Sequence, residues 1–240
     1  NALWRAGVNV DMIPPTADFS AYKVILAPDL YILPDSVAKA LNAFVRKGGV
    51  LLADSRTGVK DETSLCHDRT LPGLLSKAMG ITIEEYEALA KDMEYAVIGA
   101  RALPGRFTGQ QFADWVTPQA AEALAGFEPW HMKAFAAATR NRFGKGAGYY
   151  VGAVIKEDAF YDALMADVLR TAGIKPAVTP PAGVEVTVRE GKGKKLLFLI
   201  NHLEEPRTVG VPPGRKELIT GQTTRSALTL GAYEVAVIRL

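Results

Sequence analysis

Two unbroken apolar runs constrain this chain more than any other feature. Lys23-Val24-Ile25-Leu26-Ala27 and Gly48-Gly49-Val50-Leu51-Leu52-Ala53 show no polar alternation. That is the pattern of strands covered on both faces, as in parallel sheets. Between them Val37, Ala40, Leu41, Phe44 and Val45 recur at helical spacing and make one apolar stripe. Asp35 or Ser36 is placed to cap this helix and Gly48 to end it. A strand, a crossover helix and a second strand joined by short connections lay the two strands side by side in parallel. Val8 to Ile13 reads as a further strand. The first two-thirds of the chain is therefore expected to form an open, doubly wound α/β sheet.

After Gly80 the rhythm loosens. Leu74 to Met79 reads as a short helix stopped by Gly80, with Ile81-Thr82-Ile83 extended beyond it. Phe135–Phe143 and Tyr149–Val154 flank Gly144-Lys145-Gly146 and predict a β-hairpin. Tyr161, Leu164, Met165, Val168, Leu169 and Ala172 share one face of a helix that Gly173 ends, with Pro176 beyond. Pro176 to Pro181 is stiff and aperiodic and marks a domain boundary. The expected division is a domain over 1–176, a linker at 177–182 and a second domain over 183–240. Beyond the boundary only short strands are legible, at Val184–Arg189, Leu196–Ile200, Arg207–Val211, Glu217–Thr220 and Tyr233–Ile238. Closely spaced strands with Gly and Pro turns predict a small antiparallel β-sandwich.

Composition narrows the function classes. The 240 residues are long enough to bury a core without disulfides or a structural metal. The single cysteine, Cys66, excludes an internal disulfide framework and suits reducing surroundings, so a cytoplasmic location is expected. With 28 basic against 26 acidic residues there is no footprint for nucleic acid. No apolar run approaches the ~20 residues of a membrane span. Neither nucleic acid nor membrane is an expected partner.

Each motif with chemical promise has a plainer reading. Gly144-x-Gly146-x-Gly148 lies between two strands rather than at a helix N-terminus, so a hairpin turn outweighs a dinucleotide site. Lys192-Gly193-Lys194-Lys195 lacks the spacing of a phosphate loop and reads as a turn. Ser55 follows the third apolar strand, at the rim where a nucleophile would sit, but Arg56-Thr57 is not the small-residue setting of a nucleophile elbow. Cys66 and His67 are sequence neighbours whose side chains diverge. His67, His131 and His202 share no metal-ligand spacing, and no metal or cofactor is expected. Glu84-Glu85-x-Glu87 reads as a solvated face. Trp115, Trp130, Tyr149 and Tyr150 are the candidates for stacking on a sugar or anchoring an interface, with core packing the default reading of each.

Several segments together resemble one family. Tyr22-Lys23-Val24-Ile25-Leu26-Ala27-Pro28-x-Leu30-Tyr31-x-Leu33, Arg140 to Gly152, and Gly183-Val184-Glu185-Val186-x-Val188-Arg189 resemble the middle and C-terminal parts of glycoside hydrolase family 42 β-galactosidases. Leu197 to His202 and Leu218-Ile219-Thr220-Gly221 continue the resemblance, in the same order. It implies a flavodoxin-like "trimerisation" domain, related to class I glutamine amidotransferases, followed by a small β-domain. The family's catalytic TIM barrel precedes these parts and has no counterpart among the patterns of this chain. The family's acid/base glutamate follows an asparagine, and no Asn-Glu dipeptide occurs here.

The resemblance thus implies a non-catalytic oligomerisation and accessory portion, inactive alone and without catalytic residues. Its expected partners are further copies in a homotrimer and a barrel domain of its own or a neighbouring subunit. A β-galactoside is the substrate only of the whole enzyme. The competing readings are a sugar-binding module and an amidotransferase-like hydrolase using Ser55 or Cys66. The resemblance further implies that the middle domain's first strand, which precedes the helix matched by Ala2–Gly7, is missing. Val8–Ile13 is then expected to pair directly with Lys23–Ala27, or a strand from another chain or segment to cover the exposed edge.

Overall fold

The computed structural model describes residues 1–240. Its elements begin with helix α1 (Ala2–Arg5), strand β1 (Val24–Ala27), helix α2 (Asp35–Lys47), strand β2 (Val50–Asp54) and helix α3 (Ser76–Met79). Seven strands follow: β3 (Ile81–Ala88), β4 (Tyr95–Gly99), β5 (Gly105–Pro118), β6 (Glu122–Phe127), β7 (Ala136–Phe143), β8 (Gly146–Val151) and β9 (Ala153–Ile155). Helix α4 (Asp158–Thr171) precedes β10 (Val184–Gly191), β11 (Lys194–Asn201), β12 (Arg207–Gly210), β13 (Ala227–Leu230) and β14 (Val235–Arg239). The chain divides into two compact units, Ile13–Ile174 and a second made of Asn1–Met12 with Lys175–Leu240. No helix is long and apolar enough to cross a membrane.

The Ile13–Ile174 unit is a mixed α/β structure on a nine-stranded sheet of order β1-β2-β8-β7-β6-β4-β5-β3, with β9 on β5. The two apolar runs form β1 and β2, paired in parallel with Val24 opposite Val50, and β8 joins β2 in parallel. Every other pairing is antiparallel. The expected open parallel sheet is thus a three-strand parallel region extended by antiparallel strands. One reason is covalent: a two-residue turn joins β7 to β8, and so tight a turn permits only an antiparallel partner. The strands β4, β5, β7 and β6 also close on one another through the Val116–Ala136 pair.

Helix α2 buries Val37, Ala38, Leu41, Phe44 and Val45 against this sheet. Ala38 is buried in place of the expected Ala40, so the apolar stripe is rotated about the helix axis. Pro34 occupies the N-cap and no side chain caps the first turn. Asp35 instead pairs with Arg69 at 3.1 Å. Leu51, Leu75, Met79, Ile81 and Tyr150 complete the core below the helix.

The second unit pairs β10-β11-β14 and β12-β13 as two antiparallel sheets around one core. Val184, Val186, Leu197, Leu199, Val209 and Ile238 fill it, together with Val178 from the Pro-rich segment. Glu217–Thr220 is not the expected strand. The buried Glu217 carboxylate accepts the Ile219, Thr220 and Val237 backbone N–H groups and the Thr220 hydroxyl, which curls the chain into a turn. Although burial opposes it, these donors hold the carboxyl down at about 2.

Val8–Ile13 is not a strand either. Gly7 turns the chain at φ +68°, and the Asn9 amide then takes over the hydrogen bonds a strand would make. Its Nδ2 donates to the Val188 carbonyl at 2.6 Å and its Oδ1 accepts the Val188 N–H at 3.2 Å. Pro14 and Pro15 follow, and neither has a donor to give. Direct pairing with β1 is therefore not formed; β1 pairs with β2 alone.

Candidate functional site

β2 carries its chain to the C-terminal rim of the parallel strands, where open α/β sheets take ligands. There Asp54, Ser55, Arg56 and Thr57 turn back, with Arg56 at φ +67°, a conformation uncommon for a side chain of this size. Asp114 on β5 holds the turn: its Oδ2 accepts the Arg56 N–H at 3.1 Å and the Tyr150 hydroxyl at 2.6 Å. The Arg56 guanidinium stacks 3.5 Å above the Tyr86 ring. Asp54 Oδ1 accepts the Asp29 N–H at 2.9 Å.

Burial dominates the charge of this rim. It pushes the Asp54 carboxyl up to about 6 and raises Asp114 as well, against its hydrogen bonds from Tyr150 and Arg56. It also drives the Tyr150 hydroxyl well above its ordinary value. Asp114 Oδ1 and Thr57 Oγ1 are buried and have no hydrogen-bond partner.

No nucleophile–base pair forms at this rim. Ser55 is buried and Cys66 is exposed. Each histidine ring is engaged elsewhere: His67 with the Leu33 carbonyl, His131 with Tyr95, and His202 with Glu185. Neither Ser55 nor Cys66 thus meets the base a hydrolase needs.

A second cluster gathers on β3, β4 and β5. Glu87 accepts the Tyr95 hydroxyl at 2.5 Å and the Trp115 indole N–H at 3.2 Å, with His131 Nε2 3.6 Å away. Glu87 is therefore a bonded member of a network, while Glu84 and Glu85 of the same acidic run are exposed. Trp115 is half-buried and stacks on Phe135. Trp130 is 88% exposed, on a loop pinned by the buried Met132 and by a two-pronged Arg106–Glu128 pair. Burial and the hydrogen bond to Glu87 push the Tyr95 hydroxyl up to about 12.

Tyr149 and Tyr150 have no exposed face to offer a ligand, because β8 is an inner strand of the sheet. Their hydroxyls organise the interior instead. Tyr149 donates to Asp167 Oδ2 at 2.7 Å, and Arg140 joins that carboxylate at 2.8 Å while holding Glu122 at 2.6 Å. The glycines beside them serve packing and turning. Gly144 turns the β7–β8 hairpin at φ +61°, and a Cβ on Gly146 would lie 2.1 Å from the Gly49 carbonyl oxygen. Lys192-Gly193 is likewise the β10–β11 turn.

Asp54 fits the plainer sequence reading of this turn, a rim loop whose Ser and Asp bind backbone groups, since it accepts the Asp29 N–H. The roles of Arg56 and Asp114 were not legible. Arg56 stood beside Ser55 but carried no motif, and Asp114 lies on a strand whose alternation is broken at Gln111, φ +66°.

Comparisons with known proteins agree on one relationship. Residues 1–175 match the model for the beta-galactosidase trimerisation domain, and residues 183–240 match the beta-galactosidase C-terminal domain. β-Galactosidase BglY of Alicyclobacillus acidocaldarius is 34% identical over 99% of this chain and 35% of its own length. BgaA of Planococcus sp. is 32% identical over 99% of this chain and 36% of its own. The crystal structure of the Bacillus circulans sp. alkalophilus β-galactosidase superposes with a TM-score of 0.94 at 31% identity, over 99% of this chain and 36% of that one. The chain spans about a third of the length of the relatives it matches. The chain belongs to glycoside hydrolase family 42, whose β-galactosidase trimerisation and C-terminal domains it comprises.

Proposed function

We infer that this chain is the oligomerisation and accessory portion of a β-galactosidase and carries no glycosidic chemistry of its own. The observation that carries this reading is the span of the match. Two accessory-domain models account for 1–175 and 183–240, while relatives named for the activity are about three times longer. Retaining glycosidases set two carboxyl groups about 5 Å apart in an open cleft. The two rim carboxyls, Asp54 and Asp114, are instead engaged in holding their own backbone, at Asp29 and Arg56.

In this reading the domains divide near 176–183. The α/β part is a flavodoxin-like sheet with its parallel region reduced to β1, β2 and β8, and the C-terminal part is a β-sandwich. Three copies assemble, each beside a catalytic barrel, and the exposed thiol of Cys66 fits a reducing, cytoplasmic setting. The test is hydrolysis of an aryl β-galactoside by the purified chain. No turnover above a buffer blank is expected. Turnover that persists through repurification and is lost on substituting a residue of this chain would overturn the reading.

A further inference from the structure

We propose that the Ile13–Ile174 unit carries a binding site for a neutral saccharide, in a cavity beside Arg56. The cavity measures about 330 Å³, within the range of small-ligand sites, and is walled by Arg56, Arg69, Leu71, Ile83, Glu84 and Tyr86. Three linked features meet at it. Arg56 stands at φ +67°. The β3–β5 register slips between Ile83 and Tyr86, so Glu84 and Glu85 leave the ladder. The ring of Tyr86 is committed to holding the Arg56 guanidinium. Bulges and strained backbone of this kind are enriched where a fold re-aims side chains toward a ligand.

The lining chooses the ligand class. Arg56 has its backbone tied to Asp114 and its guanidinium fixed by stacking, yet its side-chain N–H groups donate to no acceptor. A fork of donors lining the same cavity as the exposed carboxylate of Glu84 suits vicinal hydroxyls, which accept from one and donate to the other. Leu71 and Ile83 add an apolar wall for the C–H face of a ring. An anion is disfavoured, because Arg69 is already paired with Asp35 and Glu84 and Glu85 offset Arg56. The site is independent of the oligomerisation reading, since one copy contains all of it.

The test is a nuclear magnetic resonance titration of the isotope-labelled chain with methyl β-D-galactopyranoside and, separately, inorganic phosphate. Saturable shifts at the amides of Arg56, Glu84, Glu85 and Tyr86 are expected with the sugar and not with phosphate. Arg56→Ala and the milder Glu84→Gln should each weaken the sugar about tenfold, the loss expected for a hydrogen bond to a charged group, with the remaining spectrum unchanged. The proposal is overturned by an unresponsive cavity at high millimolar sugar, by shifts confined to Trp130, by a cavity that answers phosphate instead, or by both variants binding as the parent does.

Discussion

At the scale of single residues, the rim of β2 shows how a buried carboxyl turns into a pH response. Asp54 titrates near 6 in the folded chain, against 3.8 for a free aspartate, because burial penalises its charge. Between those values the folded state binds more protons than the unfolded one, so stability falls as pH rises from about 4 to about 6 and levels off above. Asp114 is shifted in the same direction and adds to the slope. Asp54→Asn keeps an oxygen to accept the Asp29 N–H but has nothing to ionise. Urea unfolding of this variant should show a flatter pH dependence, and at neutral pH it should gain about 2 kcal/mol relative to its difference at pH 4. Parallel profiles for the two proteins would show that Asp54 is not raised.

At the scale of elements, what was legible followed from the residues on either side of each backbone. β1, α2, β2 and α4 were readable because their apolar patterns are continuous or strictly periodic. β4, β5 and β6 were not, because their strands close on one another and Gln111 interrupts the alternation of β5. Val8–Ile13 had the composition of a strand, but the Asn9 amide satisfies Val188 in place of a ladder. Glu217 similarly turned an apparent strand into a loop by gathering four donors. Of the candidate site, sequence placed the Ser55 turn at the sheet rim, but not the Asp114 support that only tertiary pairing brings there; Trp130, for which core packing was the default reading, is exposed.

The glycine-rich hairpin carries the same lesson in energetic form. Gly146→Ala would press a Cβ to 2.1 Å from the Gly49 oxygen and 2.4 Å from the Val45 oxygen. Chemical denaturation should show a loss of about 3 kcal/mol. Gly191→Ala, whose Cβ meets nothing within 4 Å, should stay within about 0.5 kcal/mol of the parent. Equal losses would mean that backbone freedom, rather than close packing onto β8, explains these glycines.

At the scale of the whole molecule, the chain joins two accessory folds matched across nearly its entire length to proteins about three times longer. Asp54, Asp114, Asp167, Glu217, Tyr149 and Tyr150 are used to build the interior and the turns, which fits the accessory role proposed above. Self-association is the property that separates this account from a detached, inert remnant. Light scattering coupled to size-exclusion chromatography measures it directly. A species of three times the 25.8 kDa chain mass is expected, and a mass that stays at one chain across the full accessible concentration range would overturn the assembly role.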